Sequence, residues 1–110
     1  MQARAEIDAG VCGFRTTCSA SSDDDQHVTL HIKSGCEKIR AFAKTLRGKG
    51  AIDAFEEISP AGKGIVLSTA RTKLTGCCSG CVVPVGVFKA MQVAAGLALP
   101  KDIAIRLAKD

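Results

Sequence analysis

Apolar and polar residues alternate from Ala3 to Ala9, the period of a strand with one buried face, until Gly10-Val11-Cys12-Gly13 interrupts with two glycines that mark a turn or bulge. Phe14 to Ala20 resumes as a strand containing Thr and Cys, and the polar stretch 21–26 has the residues of a hairpin connection. His27 to Lys33 is the cleanest strand: Val28, Leu30 and Ile32 face one way, and His27, Thr29, His31 and Lys33 the other.

The period then lengthens. Ser34-Gly35-Cys36-Glu37 reads as a capping box, with Ile39, Phe42, Ala43 and Leu46 following at helical spacing and Gly48-Lys49-Gly50 closing the helix. Residues 53–58 suit one helical turn or a short extended piece, and 59–64 a loop. A second helix is expected over 65–74, stopped by Thr75-Gly76. After a cysteine-rich loop, Pro84 fits a first helical position, and Val85, Val87, Phe88, Met91, Val93, Ala94 and Ala95 make a strongly apolar helix ending at Gly96. Alternation returns in Ile103-Ala104-Ile105-Arg106-Leu107, which predicts a closing strand. The expectation is a single α+β domain over 1–110: a two-layer sandwich in which a small antiparallel sheet of about three strands, in β-β-α-α-α-β order, carries its helices on one face.

Composition narrows the function. The 110 residues suffice for one core and not for two domains. Four Phe, with no Tyr or Trp, leave little for stacking on nucleobases, and a net charge of +4 is too small to imply a polyanion, so no nucleic-acid partner is expected. The acids near the N-terminus and the absence of an uninterrupted run of about eighteen apolar residues predict neither export nor a membrane span, and hence a cytoplasmic protein. In a reducing compartment, six cysteines point to metal ligation or thiol chemistry rather than disulfides.

Among them, Cys77-Cys78-Ser79-Gly80-Cys81 carries a Cys-x-x-Cys directly before a helix, where two thiolates can reach one ion and free amides favour their charge. Cys36, in a helix's first turn, is the third candidate, and Cys12, in its Gly-flanked turn, the fourth. Cys18, mid-strand, reads as a small buried hydrophobe. His27 and His31 are too far apart along a strand, roughly 13 Å, to share one metal. Asp23-Asp24-Asp25 lacks the spacing of a calcium loop, Gly62-Lys63-Gly64 that of a phosphate loop, and the basic residues of the first helix have no interleaved aromatics.

With these motifs placed, the chain resembles a family of small uncharacterised cysteine-containing domains of anaerobic bacteria and archaea. The resemblance is carried by the stretch from Ile7 to Phe14, by Cys36, by Cys81-Val82-Val83-Pro84 and by the stretch from Val93 to Pro100. It implies no activity; it implies that Cys12, Cys36 and Cys81 occupy the family's cysteine positions and that an anaerobic cytosol would suit an oxygen-sensitive cluster. Two metal readings follow: an iron–sulfur cluster or zinc held by Cys12, Cys36, Cys81 and one of Cys77 or Cys78. A thiol-redox protein cycling Cys78 and Cys81, with Cys77 as resolving partner, is the alternative, and a non-enzymatic module with an unknown protein partner or a homodimer through its apolar helix is the third. No nucleophile and base arrangement is apparent, so enzyme status stays open with a lean towards none.

Overall fold

The computed structural model describes residues 1–59, 61 and 64–110. Its element order is β1 (Gln2–Asp8), β2 (Arg15–Ser21), β3 (His27–Ser34), α1 (Glu37–Gly48), β4 (Ile52–Asp53), α2 (Ala54–Ile58), α3 (Val66–Lys73), a 3-10 turn (Gly76–Cys78) and α4 (Val83–Ala94). The α+β class, the antiparallel sheet and the strand and helix assignments up to residue 95 match the sequence pattern. The sheet has four strands in the order β1-β2-β3-β4 rather than about three. The fourth is the two-residue β4, one of the two forms the sequence allowed near residue 53, and the run into the helical turn α2 supplies the other.

Period-two alternation does what it predicts. Side chains meet in rows across the inner face: Ala3, Ala20 and Leu30; Ala5, Cys18 and Ile32; Ile7, Thr16 and Ser34. The opposite face, with Arg4, Glu6, Thr17, Ser19, Thr29, His31 and Lys33, is exposed. Alanines and a cysteine at the centre of the inner face leave room for helices. α4 lies over β1 and β2, and α1 over β3. The α4 backbone approaches so closely at Gly86 that a Cβ there would sit 2.4 Å from Ile7 Cδ1. Phe42, Ile39, Ile52, Met91, Val28, Val66, Val83 and Val87 complete a dry core, and among the described residues no buried side-chain polar atom lacks a partner.

Three further expectations are corrected. The cap of α1 is Cys36, not Ser34, so Glu37 falls at the first helical position and no capping box forms; Ser34 Oγ instead accepts the Cys36 amide at 3.1 Å. Pro84 occupies the second rather than the first position of α4. Residues 103–107 form no strand: they run without regular structure, exposed, because neither sheet edge in the same chain pairs with them. The stretch Gly76–Ala94, 19 residues at mean hydropathy 1.5, is long and apolar enough by length and composition to cross a membrane. Its α4 part packs Val83, Val87, Ala90, Met91 and Ala94 into the core, as the central helix of a folded domain does. Of the expected loop over 59–64, Pro60, Gly62 and Lys63 lie outside the described residues, and the reading of Gly62-Lys63-Gly64 lies there with them.

Candidate metal centre

The sheet's register gathers the cysteines before any side chain is considered. Asp8 pairs with Arg15 and Thr16 with Ser34, so the β1–β2 loop and the β3–α1 junction leave the sheet at the same end. Cys12 is on that loop, Cys36 at that junction. Gly86 in the first turn of α4 rests on Ile7, in the same terminal row, which brings the N-terminus of α4 and the preceding Cys78 and Cys81 to the same end. A hydrogen bond of 3.3 Å from Lys38 Nζ to the Thr75 carbonyl ties the first turn of α1 to the stretch that leads into Cys77 and Cys78.

Each thiol is held by local chemistry. The Cys12 loop is a tight turn in which the Gly13 amide donates to the Gly10 carbonyl at 2.9 Å and the Gly10 amide to Asp8 Oδ1 at 3.0 Å. Gly10 and Gly13 have φ of +90° and +76°, which side-chain-bearing residues rarely adopt, so the glycines flanking Cys12 are what present it at an exposed tip. Phe14 folds back over the β3–α1 junction, its Cδ1 3.1 Å from where a Cβ on Gly35 would stand. Cys36 is fixed by a relay: the buried Thr16 hydroxyl donates to Ser34 Oγ at 2.8 Å, and Ser34 Oγ accepts the Cys36 amide. As the cap residue of α1, Cys36 stands at the positive end of that helix, with no side-chain cap bond occupying it. Cys78 and Cys81 are joined by a turn in which the Cys81 amide donates to the Cys78 carbonyl at 3.1 Å.

Cys12, Cys36 and Cys78 lie near enough to Cys81 for their thiolates, once formed, to bear on it. Its pKa is raised, first by burial and then by those three neighbours, while a hydrogen bond from the Val83 backbone works in the opposite direction. Cys77 is exposed on the 3-10 turn. Cys18 is fully buried in the second row of the sheet, and burial pushes its thiol up to about 12. No three His, Cys, Asp or Glu side chains among the described residues stand at ready coordination distance.

Positive charge collects at the same end. Lys38 lies at Thr75, and Arg40 Nη1 donates to the Gly35 carbonyl at 3.0 Å. These basic side chains, like the Thr16–Ser34 relay, escape a reading of the sequence, since Lys38 and Arg40 there look like part of an ordinary solvated helix face. The histidines are elsewhere. His27 Nδ1 lies 2.7 Å from Asp24 Oδ2 at the opposite end of β3, where Asp24 also accepts the amides of Gln26 and His27 and so organises the hairpin.

The family model described as "Family of unknown function (DUF6951)" matches residues 3–107. No curated protein and no solved structure matches the chain.

Proposed function

We propose that this chain, which belongs to the family of unknown function DUF6951, binds a metal ion or an iron–sulfur cluster through Cys12, Cys36, Cys78 and Cys81. The observation that carries the reading is the convergence of four thiols, drawn from three separate segments, on one end of the sheet between two helix N-termini. Four thiolates suit zinc or an iron–sulfur cluster. Either assembly carries net negative charge, which the amides opening α1 and α4, together with Lys38 and Arg40, offset. Cys78 rather than Cys77 is the fourth ligand, because Cys78 is the one adjoining Cys81.

The centre sits outside a core that is complete without it, with Cys12 on an exposed tip. That placement favours a site that loads and unloads, as in cluster carriage or delivery, over one that holds the fold together, for which metal and core are inseparable. A redox pair of Cys78 and Cys81 is the second reading, carried by the turn in which the Cys81 amide donates to the Cys78 carbonyl. Reduced thiols and an exposed site fit a cytoplasmic protein that works with a protein partner.

Protein purified without oxygen, and without a metal-binding tag, is to be examined by ultraviolet–visible spectroscopy with iron, sulfide and zinc analysis. A brown sample with iron and sulfide supports a cluster, and a colourless one with stoichiometric zinc supports a zinc centre. Protein that takes up neither metal nor cluster, even after reconstitution with iron and sulfide or with zinc, overturns the reading.

A further inference from the structure

Two unsatisfied features of this chain fit each other. The first is a sheet edge. β4 pairs only with His27 and Val28, so β3 is left with an open edge from Thr29 to Ser34. Beside that edge runs a groove of about 310 Å³ bounded by residues 29–33 of β3, by Ala43, Leu46 and Arg47 of α1, and by residues 50–52. Leu30, Ile32 and Ala43 are only half-buried there, although they sit on the inner, apolar face, because nothing among the described residues covers them from the side. An open edge over an apolar groove is a template for another strand.

The second is the C-terminal segment. After α4 the chain leaves through a helix-ending turn, the Leu97 amide donating to the Gln92 carbonyl and that of Gly96 to Val93. Residues 101–110 are then all exposed, in a molecule 45 Å long and only 28 by 27 Å across. Ile103, Ile105 and Leu107 are 55%, 67% and 91% exposed. Their spacing by two puts them on one face of an extended chain, with Ala104 and Arg106 on the other, and the run from 103 to 108 equals in length the open edge from 29 to 34.

We infer that the C-terminal segment of one copy adds as a strand to the open edge of β3 in a second copy, its Ile103, Ile105 and Leu107 filling the groove over Leu30, Ile32 and Ala43. The alternation in the sequence is then that of a true strand whose partner is another chain. Both halves of the contact are present on every copy, so a two-fold pair closes with two such strands and leaves neither groove open. Backbone pairing supplies affinity, and the apolar side chains at alternate positions fix the register.

The test uses the full chain. Light scattering coupled to size exclusion reads its mass against the 11.4 kDa of one copy, and hydrogen exchange reads which amides are protected at high and low concentration. A dimer is expected, with concentration-dependent protection confined to 103–107 and to the edge of β3. Ile105→Asp puts a charge into each of the two grooves, and at about tenfold or more per site it should weaken the pair about 100-fold while far-UV circular dichroism stays unchanged. A monomer with a rapidly exchanging tail overturns the proposal, as does a monomer with a protected tail, which would mean closure within one chain. A dimer that survives Ile105→Asp, or one that protects β1 in place of β3, overturns it equally.

Discussion

Cys77 and Cys78 are neighbours in sequence with different surroundings: one projects to solvent, the other packs against the core beside Cys81. Serine in place of Cys36, Cys78 or Cys81 should therefore lower bound metal well below stoichiometric, whereas Cys77→Ser should leave it unchanged, as elemental analysis of each purified variant will read. The sequence leaves the doubled cysteine open, since a Cys-x-x-Cys fits 78 and 81 while 77 is one residue away; the structure separates the two by exposure, Cys77 exposed and Cys78 half-buried against the core. Cys18, by contrast, was legible, because mid-strand alternation alone assigns it to the inner face. At the other end of β3, the hydrogen bond with Asp24 raises the pKa of His27, and that bond together with two backbone amides holds the Asp24 carboxyl well below the usual range. The signs give a window. The Asp24 contribution is present above the ordinary carboxylate value near 3.9 and is lost as pH falls through its lowered folded value. The His27 contribution is complete below about 6.5 and is lost as pH rises through its raised folded value. The stability lost in Asp24→Asn should thus be greatest between about pH 4 and 6.5 and smaller at alkaline pH, where only the amide contacts remain. Urea denaturation of both proteins across pH measures it, and a pH-independent difference contradicts it.

Elements take their ends from groups that sequence patterns identify unevenly. Asp53 caps α2 as an aspartate should, accepting the Phe55 and Glu56 amides. α3, however, has Ile65 as its cap residue, which offers no side-chain cap, and its first amides are taken by Glu57: the Ile65 and Val66 amides each donate to the Glu57 carboxylate at 2.6 Å. Glu57 is buried as a result. Cutting it to Ala leaves two amides unpaired and should cost about 1–3 kcal/mol by chemical denaturation, more than Glu56→Ala, which is exposed. A capping residue eight positions upstream has no local signature, which explains why nothing at 57 marked it out. Close approach is similarly silent in sequence. Gly86 looks like a weak point in a helix, yet it is where α4 meets Ile7, and Gly86→Ala should destabilise by about 1–3 kcal/mol despite its better helix propensity. Ile7→Ala in the same chain should recover part of that loss, since it removes the atoms the new Cβ meets. The tail shows the opposite failure. Its alternation from Ile103 to Leu107 is genuine, but period two says that a segment can pair, not with what, and a partner strand on another chain is invisible from one sequence.

For the whole molecule, strand alternation and helical spacing were enough to give the α+β class, an antiparallel sheet with helices packed on its apolar face, because each element buries one side. The sequence offers the cysteines as candidates but not their placement: it takes the antiparallel register to bring loop 9–14, the start of α1 and the start of α4 to one end. Since the core closes without the centre, chelation should leave the far-UV spectrum and cooperative unfolding intact, lowering the melting temperature without abolishing the transition. Unfolding on chelation would instead make the metal structural. The most direct test of the four-thiol centre is mass-spectrometric mapping of alkylation in the native protein with and without its bound metal or cluster. With a four-thiol centre, Cys77 is modified in both states and buried Cys18 in neither, while Cys12, Cys36, Cys78 and Cys81 are protected together only in the loaded protein. Protection of Cys77 in place of Cys78, or a pattern that does not change on loading, would contradict it.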